Sequence, residues 1–419
     1  MSKEAEPRWR ILSITDFAAM EGRAEALLQD IRAGNPEAAE LFATFHPASP
    51  LTPSLADARL ALAVAHDYPD WETFQQAVAL FNAICADRAE EVLGQVRRQP
   101  DLLHRRVNGE SSNWGPPLAC AAQVGAPAVF EALLPLPDQD RSWALDRAIL
   151  KGRVDMARAL IDNGTEPEPG LAIGPCETLN VDGLEFLAEV GVALTDEHGD
   201  RLAPVAMLLQ GYHRDPEGKH ACLAFFERQG IAYPDTPVMA FHRGRTDLLD
   251  QHLARNPELV HHRFSCRDLY PLELGCDEDT SLGLHGTPLD GTTLLHMSVD
   301  FDEPAIARWL LGHGADVNAT AEVDAAGFGG HTPLFNAVVS QACVSGRQLG
   351  GGFARFLLDQ GADVGRRASI RKAIRFIADE SSHEYRDVTA LEYGRAFHAS
   401  PWVSPGALEA IEQVRSSDS

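Results

Sequence analysis

The stretch GTTLLHMSVDFDEPAIARWLLGHGADVN, Gly291 to Asn318, decides the fold. It reads as helix, turn, helix. Asp302-Glu303-Pro304 forms the N-terminal turn of the second helix, where negative charge complements the dipole and proline's missing donor is harmless. Gly314 supplies the left-handed residue that ends that helix. Helices of about seven to ten residues do not hold their shape alone in water, so neighbouring copies must supply the stability.

Copies follow. Ala354 to Val364 (ARFLLDQGADV) repeats Ala307 to Val317 (ARWLLGHGADV) after 47 residues, whereas the helix starts Gly291 to His296 and Gly330 to Phe335 lie 39 residues apart. The difference is an insertion at Gln341 to Gly352, which contains Gly350-Gly351-Gly352. Thr332 is placed to cap a helix with Pro333 in its first turn. Weaker helix ends recur at Asn163-Gly164, Val190-Gly191 and Gln229-Gly230, and weaker starts at Pro116-Pro117-Leu118, Ala203-Pro204, Thr236-Pro237 and Thr389-Ala390-Leu391.

This pattern resembles the ankyrin repeat family, whose units open on Thr-Pro-Leu-His and close on Leu-Leu-x-x-Gly-Ala-Asp-Val-Asn. Gly314 to Asn318 matches that ending in full. The resemblance implies an all-α fold: an ankyrin-type solenoid of stacked helix–turn–helix repeats with long irregular finger loops, roughly nine or ten pairs from Phe81 onward with lengths scattered about the ~33-residue norm. Residues 1–80 differ. Leu55 to Val78, with Asp70 as N-cap and Trp71 as a packing residue, looks like the helical lead-in found ahead of ankyrin repeats in some bacterial proteins. We read 1–80 as an N-terminal helical cap, 81–235 as degenerate repeats and 236–419 as clearer repeats ending in a capping repeat.

The chain carries 61 acidic against 36 basic residues, a formal charge of −25. That field repels phosphate backbones and anionic lipid, so neither nucleic acid nor a membrane is expected as partner. Seven scattered cysteines argue against a disulfide framework and for a reducing compartment. With no signal-like start and no run of eighteen apolar residues, the cytoplasm is the expected location.

Chemistry is expected in three long connections, Arg263 to Asp290, Asn318 to His331 and Gly365 to Asp387, because loops beyond about twelve residues are uncommon unless functional or disordered. They bring Tyr270, Asp277, Asp279 and His285, then Asp324, Phe328 and His331, then His383, Tyr385 and Arg386. These are the candidate binding residues. His296, at the family's Thr-Pro-Leu-His position, is expected to bridge adjacent loops by hydrogen bonds. Paired acids such as Asp300 with Asp302 arise by chance in so acidic a chain. His261, His262, Cys266 and Cys276 match no zinc framework, so no metal is expected, although His285, His331 and Asp324 could meet in three dimensions. No Gly-x-Ser-x-Gly elbow and no phosphate loop occur, and no cofactor is expected. The resulting expectation is a protein-binding module or scaffold that uses its fingers and concave face to hold a partner, of basic character by charge complementarity. The alternative is an enzyme or small-molecule binder with His285, His331, Asp324 and His383 around one pocket.

Overall fold

Thr293 opens the first helix of the best-preserved repeat. Its hydroxyl lies 2.9 Å from His296 Nδ1, and its N–H lies 3.4 Å from the same nitrogen. The helix Leu294–Asp300 then turns at Asp302, which takes φ +59°, into the helix Pro304–Gly312. Gly314, at φ +89°, ends the pair. Leu295, Val299, Ile306 and Leu310 are all buried. The next pair copies the plan with one change: Thr332 holds the N-cap position of Pro333–Val338, but its hydroxyl makes no capping bond.

The computed structural model describes residues 17–107, 113–137, 139–277, 285–374 and 381–417. Contacts fall into two units, Met1–Glu168 and Pro169–Ser419. The first contains the helices Phe17–Arg32, Pro36–Phe45, Leu55–Ala65 and Trp71–Cys85, the last capped by Asp70 through a 2.8 Å bond from the Thr73 N–H. The helices Ala89–Arg98, Pro117–Val124, Pro127–Leu133, Arg141–Leu150 and Val154–Asp162 follow, Pro117–Val124 packing on Arg141–Leu150 and Ala89–Arg98 on Pro127–Leu133.

In the second unit, first helices pack on first helices and second on second. Ile173–Glu177 contacts Ala203–Gln210, Leu294–Asp300 contacts Pro333–Val338, and the latter contacts Ala390–Ala396. Val181–Glu189 lies on Pro216–Arg228, and Gly352–Asp359 on Pro405–Ser417. Counted from the pair Trp71–Cys85 and Ala89–Arg98, which contains Phe81, there are nine such pairs among the described residues. The chain is mostly helical. Among the described residues no helix is long and apolar enough to cross a membrane, and all seven cysteines are free.

Two departures from the all-α expectation position the sites. The third connection is not irregular: β1 (Arg367–Lys372) and β2 (His383–Thr389) pair antiparallel with a bulge between Ala368 and Ile370. The second connection lies along β1, since Gly329 N–H donates to the Ser369 carbonyl at 2.7 Å and the Ser369 N–H returns the bond at 3.3 Å. The described parts of the first connection do not project. After its base, where Phe264 bridges Thr292, it folds back over the first helices. Gly275 meets Leu202, the Asp277 N–H donates to Gln210 Oε1, and beyond the undescribed 278–284 the Thr287 hydroxyl donates to the Val339 carbonyl.

Leu310 and Leu357 each have no exposed surface, at equivalent places in two repeats. Replacing either with Ala is expected to cost about 2–5 kcal/mol, the cavity penalty of a buried leucine, as a lowered urea midpoint with an unchanged slope.

Candidate functional site

Three groups of side chains in the second unit gather the expected site residues, and the first is buried. Arg214, in the connection before Pro216–Arg228, donates from Nη2 to Asp300 Oδ2 at 3.1 Å and from Nε to the Asp300 carbonyl at 3.1 Å. The same carboxylate oxygen lies 2.8 Å from His285 Nδ1, and the other ring nitrogen, Nε2, lies 2.6 Å from the Tyr270 hydroxyl. A carboxylate only accepts, so Nδ1 carries the proton, and the neutral ring then accepts at Nε2 from the phenol. Burial pushes the His285 pKa down against the pull of Asp300. Burial alone would raise the Asp300 carboxyl, but His285 and Arg214 outweigh it and hold the group below the ordinary carboxylate range.

Phe301 forms the floor of this cluster. The Arg214 guanidinium and the Lys219 ammonium each lie 4.4 Å from its ring centroid, and the His242 ring meets it edge-on at 5.3 Å. Burial lowers the Lys219 pKa to about 8 against the attraction of Glu303, which is 3.4 Å away. Glu303 also binds His220 Nε2 at 2.8 Å, while Asp302 reaches forward to Arg347 at 2.6 Å. Asp302 and Glu303 thus tie repeats together by ion pairs; their service to the helix dipole is secondary.

Hydroxyl, imidazole and carboxylate stand here in the order of a nucleophile, its base and the group that orients the base. Tyr270 is buried, and burial drives its phenol well above the ordinary value. What the network does is hold the first connection down. Leu269 is pinned to the helix Pro237–His242 by the His242 Nε2–H at 2.9 Å, and Tyr393 donates its hydroxyl to the Gly286 carbonyl at 3.2 Å. Gly286 is required by that approach, since a Cβ there would stand 2.6 Å from the Ser340 backbone.

The second group lies on the paired fingers. Phe328, nearly covered, has the guanidinium carbons of Arg371 and Arg386 at 4.6 and 4.4 Å from its ring centroid. Asp324 turns its own loop by accepting from the Ala326 and Phe328 N–H groups, which hold its carboxyl below the usual range, and it pairs with Arg371 at 3.2 Å. In the third group the Tyr385 hydroxyl bonds His398 Nδ1 at 2.6 Å, and the His383 ring stacks on His398 with centroids 3.9 Å apart.

Of the expected residues, Tyr270 is therefore joined to His285, Asp324 to Phe328 and Phe328 to Arg386, and His383 to Tyr385 by way of His398. Asp277 is exposed and its backbone N–H donates to Gln210, and Asp279 lies outside the described residues. His331 is structural in its setting: its Nε2–H donates to the Pro288 carbonyl at 3.0 Å, and its own carbonyl accepts from His296 Nε2 at 3.1 Å, the bridge expected of His296. The four residues of the pocket alternative have different partners: His285 bonds to Asp300, His331 to Pro288 and Asp324 to Arg371, while His383 stacks on His398. Among the described residues no three His, Cys, Asp or Glu side chains are grouped to hold a metal. Sequence reasoning missed Arg214, Lys219, Asp300 and Glu303. The one signal available was the placement of Asp300 and Glu303 at the same helix-to-helix turn.

The ankyrin repeat family model matches residues 290–322, the segment that contains the Thr293–His296 cap and the Asp300–Glu303 turn. No curated protein matches the chain. Among solved structures, the ankyrin repeat domain of human ASB11 aligns at 16% identity over 80% of this chain and 96% of that one, with a TM-score of 0.20. That score is too low to speak for a shared global arrangement. The repeat at 290–322 is of a kind that generally serves protein interaction.

Changing Asp300 to Asn leaves Arg214 buried without its counter-charge, and is expected to cost about 3–5 kcal/mol in urea unfolding. Acid should act through the buried imidazoles. Burial lowers the pKa of His296 to about 3 and that of His331 to about 4. The unfolded chain takes up these protons near pH 6.5 while the folded one refuses them, so stability is flat above pH 6.5 and falls below it, by up to about 1.4 kcal/mol per pH unit for each ring. His331→Gln keeps an N–H donor without a titrating group, and its stability profile between pH 6 and 4.5 should be shallower than wild type by one such increment.

Proposed function

We propose that this chain is a recognition module that binds a partner protein through its paired fingers, the connection 318–331 and the hairpin β1–β2. The supporting observation is the Gly329–Ser369 bridge, which makes one continuous surface of two loops that belong to different repeats. Preformed surfaces bind at lower cost because less chain is ordered on contact. Val323 stands on its edge with 62% of its surface exposed, the most exposed large hydrophobic residue among the described residues of the second unit.

The folded-back first connection changes which surface is available. It covers part of the face formed by the first helices from Ala203–Gln210 to Pro333–Val338, so recognition falls to the fingers more than to that face. The net charge of −25 favours a partner of net positive charge at long range, and the contact itself is decided by groups within a Debye length of about 8–10 Å. Residues 1–80 would act as a terminal cap ahead of the repeats.

In capture from an extract of the cells that express the protein, the wild-type chain should enrich a protein that Val323→Asp loses by about tenfold or more, the scale of one disrupted contact residue. Leu51→Asp, a fully exposed position of the other unit, should leave capture unchanged. Equal capture by all three would contradict the finger assignment.

A further inference from the structure

Although the chain as a whole is strongly acidic, its hairpin is not. Arg366, Arg367, Arg371 and Arg386 crowd onto the third finger, each with about half of its side chain exposed. Arg371 pairs in register with Glu384, and Arg386 follows Glu384 by two residues, so both guanidinium groups emerge from the same face of the hairpin. Phe328, delivered by the neighbouring finger, packs against both. A guanidinium stacked on a ring has lost much of its rotamer freedom before any ligand arrives.

The partners these arginines have within the chain hold them weakly. Arg371 reaches Asp324 at 3.2 Å and Arg386 reaches Glu384 at 2.9 Å, and all four side chains are exposed. Exposed pairs of this kind are worth about 0–1 kcal/mol, so a carboxylate that arrives with a desolvating surface can replace them at small cost. The planar fork of arginine matches a carboxylate through two parallel hydrogen bonds. At that range salt screens the distant net charge, so the groups on the finger itself decide the contact.

Resting on the finger reading above, we infer that the Arg371–Phe328–Arg386 stack is a carboxylate-binding element, and that the segment of partner protein seated on it is acidic. The partner thus presents an Asp- or Glu-rich stretch to the fingers, whatever its overall charge.

The test is fluorescence anisotropy with two labelled ten-residue peptides, one alternating Glu and Ala and one alternating Lys and Ala, and a ten-nucleotide single-stranded DNA as a phosphate control. The Glu peptide should bind, weaken as salt rises, and lose about tenfold or more in affinity to an Arg371→Ala/Arg386→Ala variant whose thermal unfolding matches wild type. Arg371→Lys/Arg386→Lys keeps the charge but not the fork, and should recover only part of that loss. Tighter binding of the Lys peptide or of the DNA, no binding of the Glu peptide, or equal binding by the alanine variant would overturn the inference. The finger reading would survive any of these results if Val323→Asp still abolished capture of the cellular partner.

Discussion

One buried carboxylate organises the second unit. Asp300 ends a first helix and receives Arg214 from 86 residues earlier and His285 from 15 residues earlier, with no exposed surface of its own. Desolvating such a group is costly unless every element that supplies its partners arrives together, so the arrangement works as a requirement for cooperation among repeats. A solenoid normally needs only nearest-neighbour contacts. Here Arg214, Asp300 and Tyr270 belong to separate segments, and the network stiffens the array across several repeats at once.

This constraint has a consequence for recognition. By holding His285 and Tyr270 down, it keeps the described parts of the first long connection on the helices. The second and third connections stand side by side and join through backbone hydrogen bonds between Gly329 and Ser369. A surface made of paired backbone is rigid enough to hold Phe328 between two arginines without help from a partner.

The repeat was legible in Gly291 to Asn318 because its signals are local: a threonine cap, a proline in the first turn and a glycine at positive φ act within one helix pair. The buried network was not legible because its members are far apart in sequence and carry no spacing rule; Asp300 with Asp302 looked like chance in an acidic chain, yet the two serve different partners, Arg214 and Arg347. The hairpin did leave a trace. From Arg367 to Lys372 the burial alternates, with Ala368 and Ile370 inward, a period of two that a search for helices passes over. Thr332 shows the opposite error, a residue in the capping position whose hydroxyl does not cap.

Native-state amide exchange compares the locked connection with the helix it is locked to most directly. The Tyr270 amide, bonded to the Cys266 carbonyl, should open with a free energy within about 1 kcal/mol of the core amides of Leu294–Asp300, as expected of one cooperative unit. Exchange at Tyr270 faster by several orders of magnitude, with the helix still protected, would mean that the connection opens independently and that Asp300 does not bind the repeats into one body.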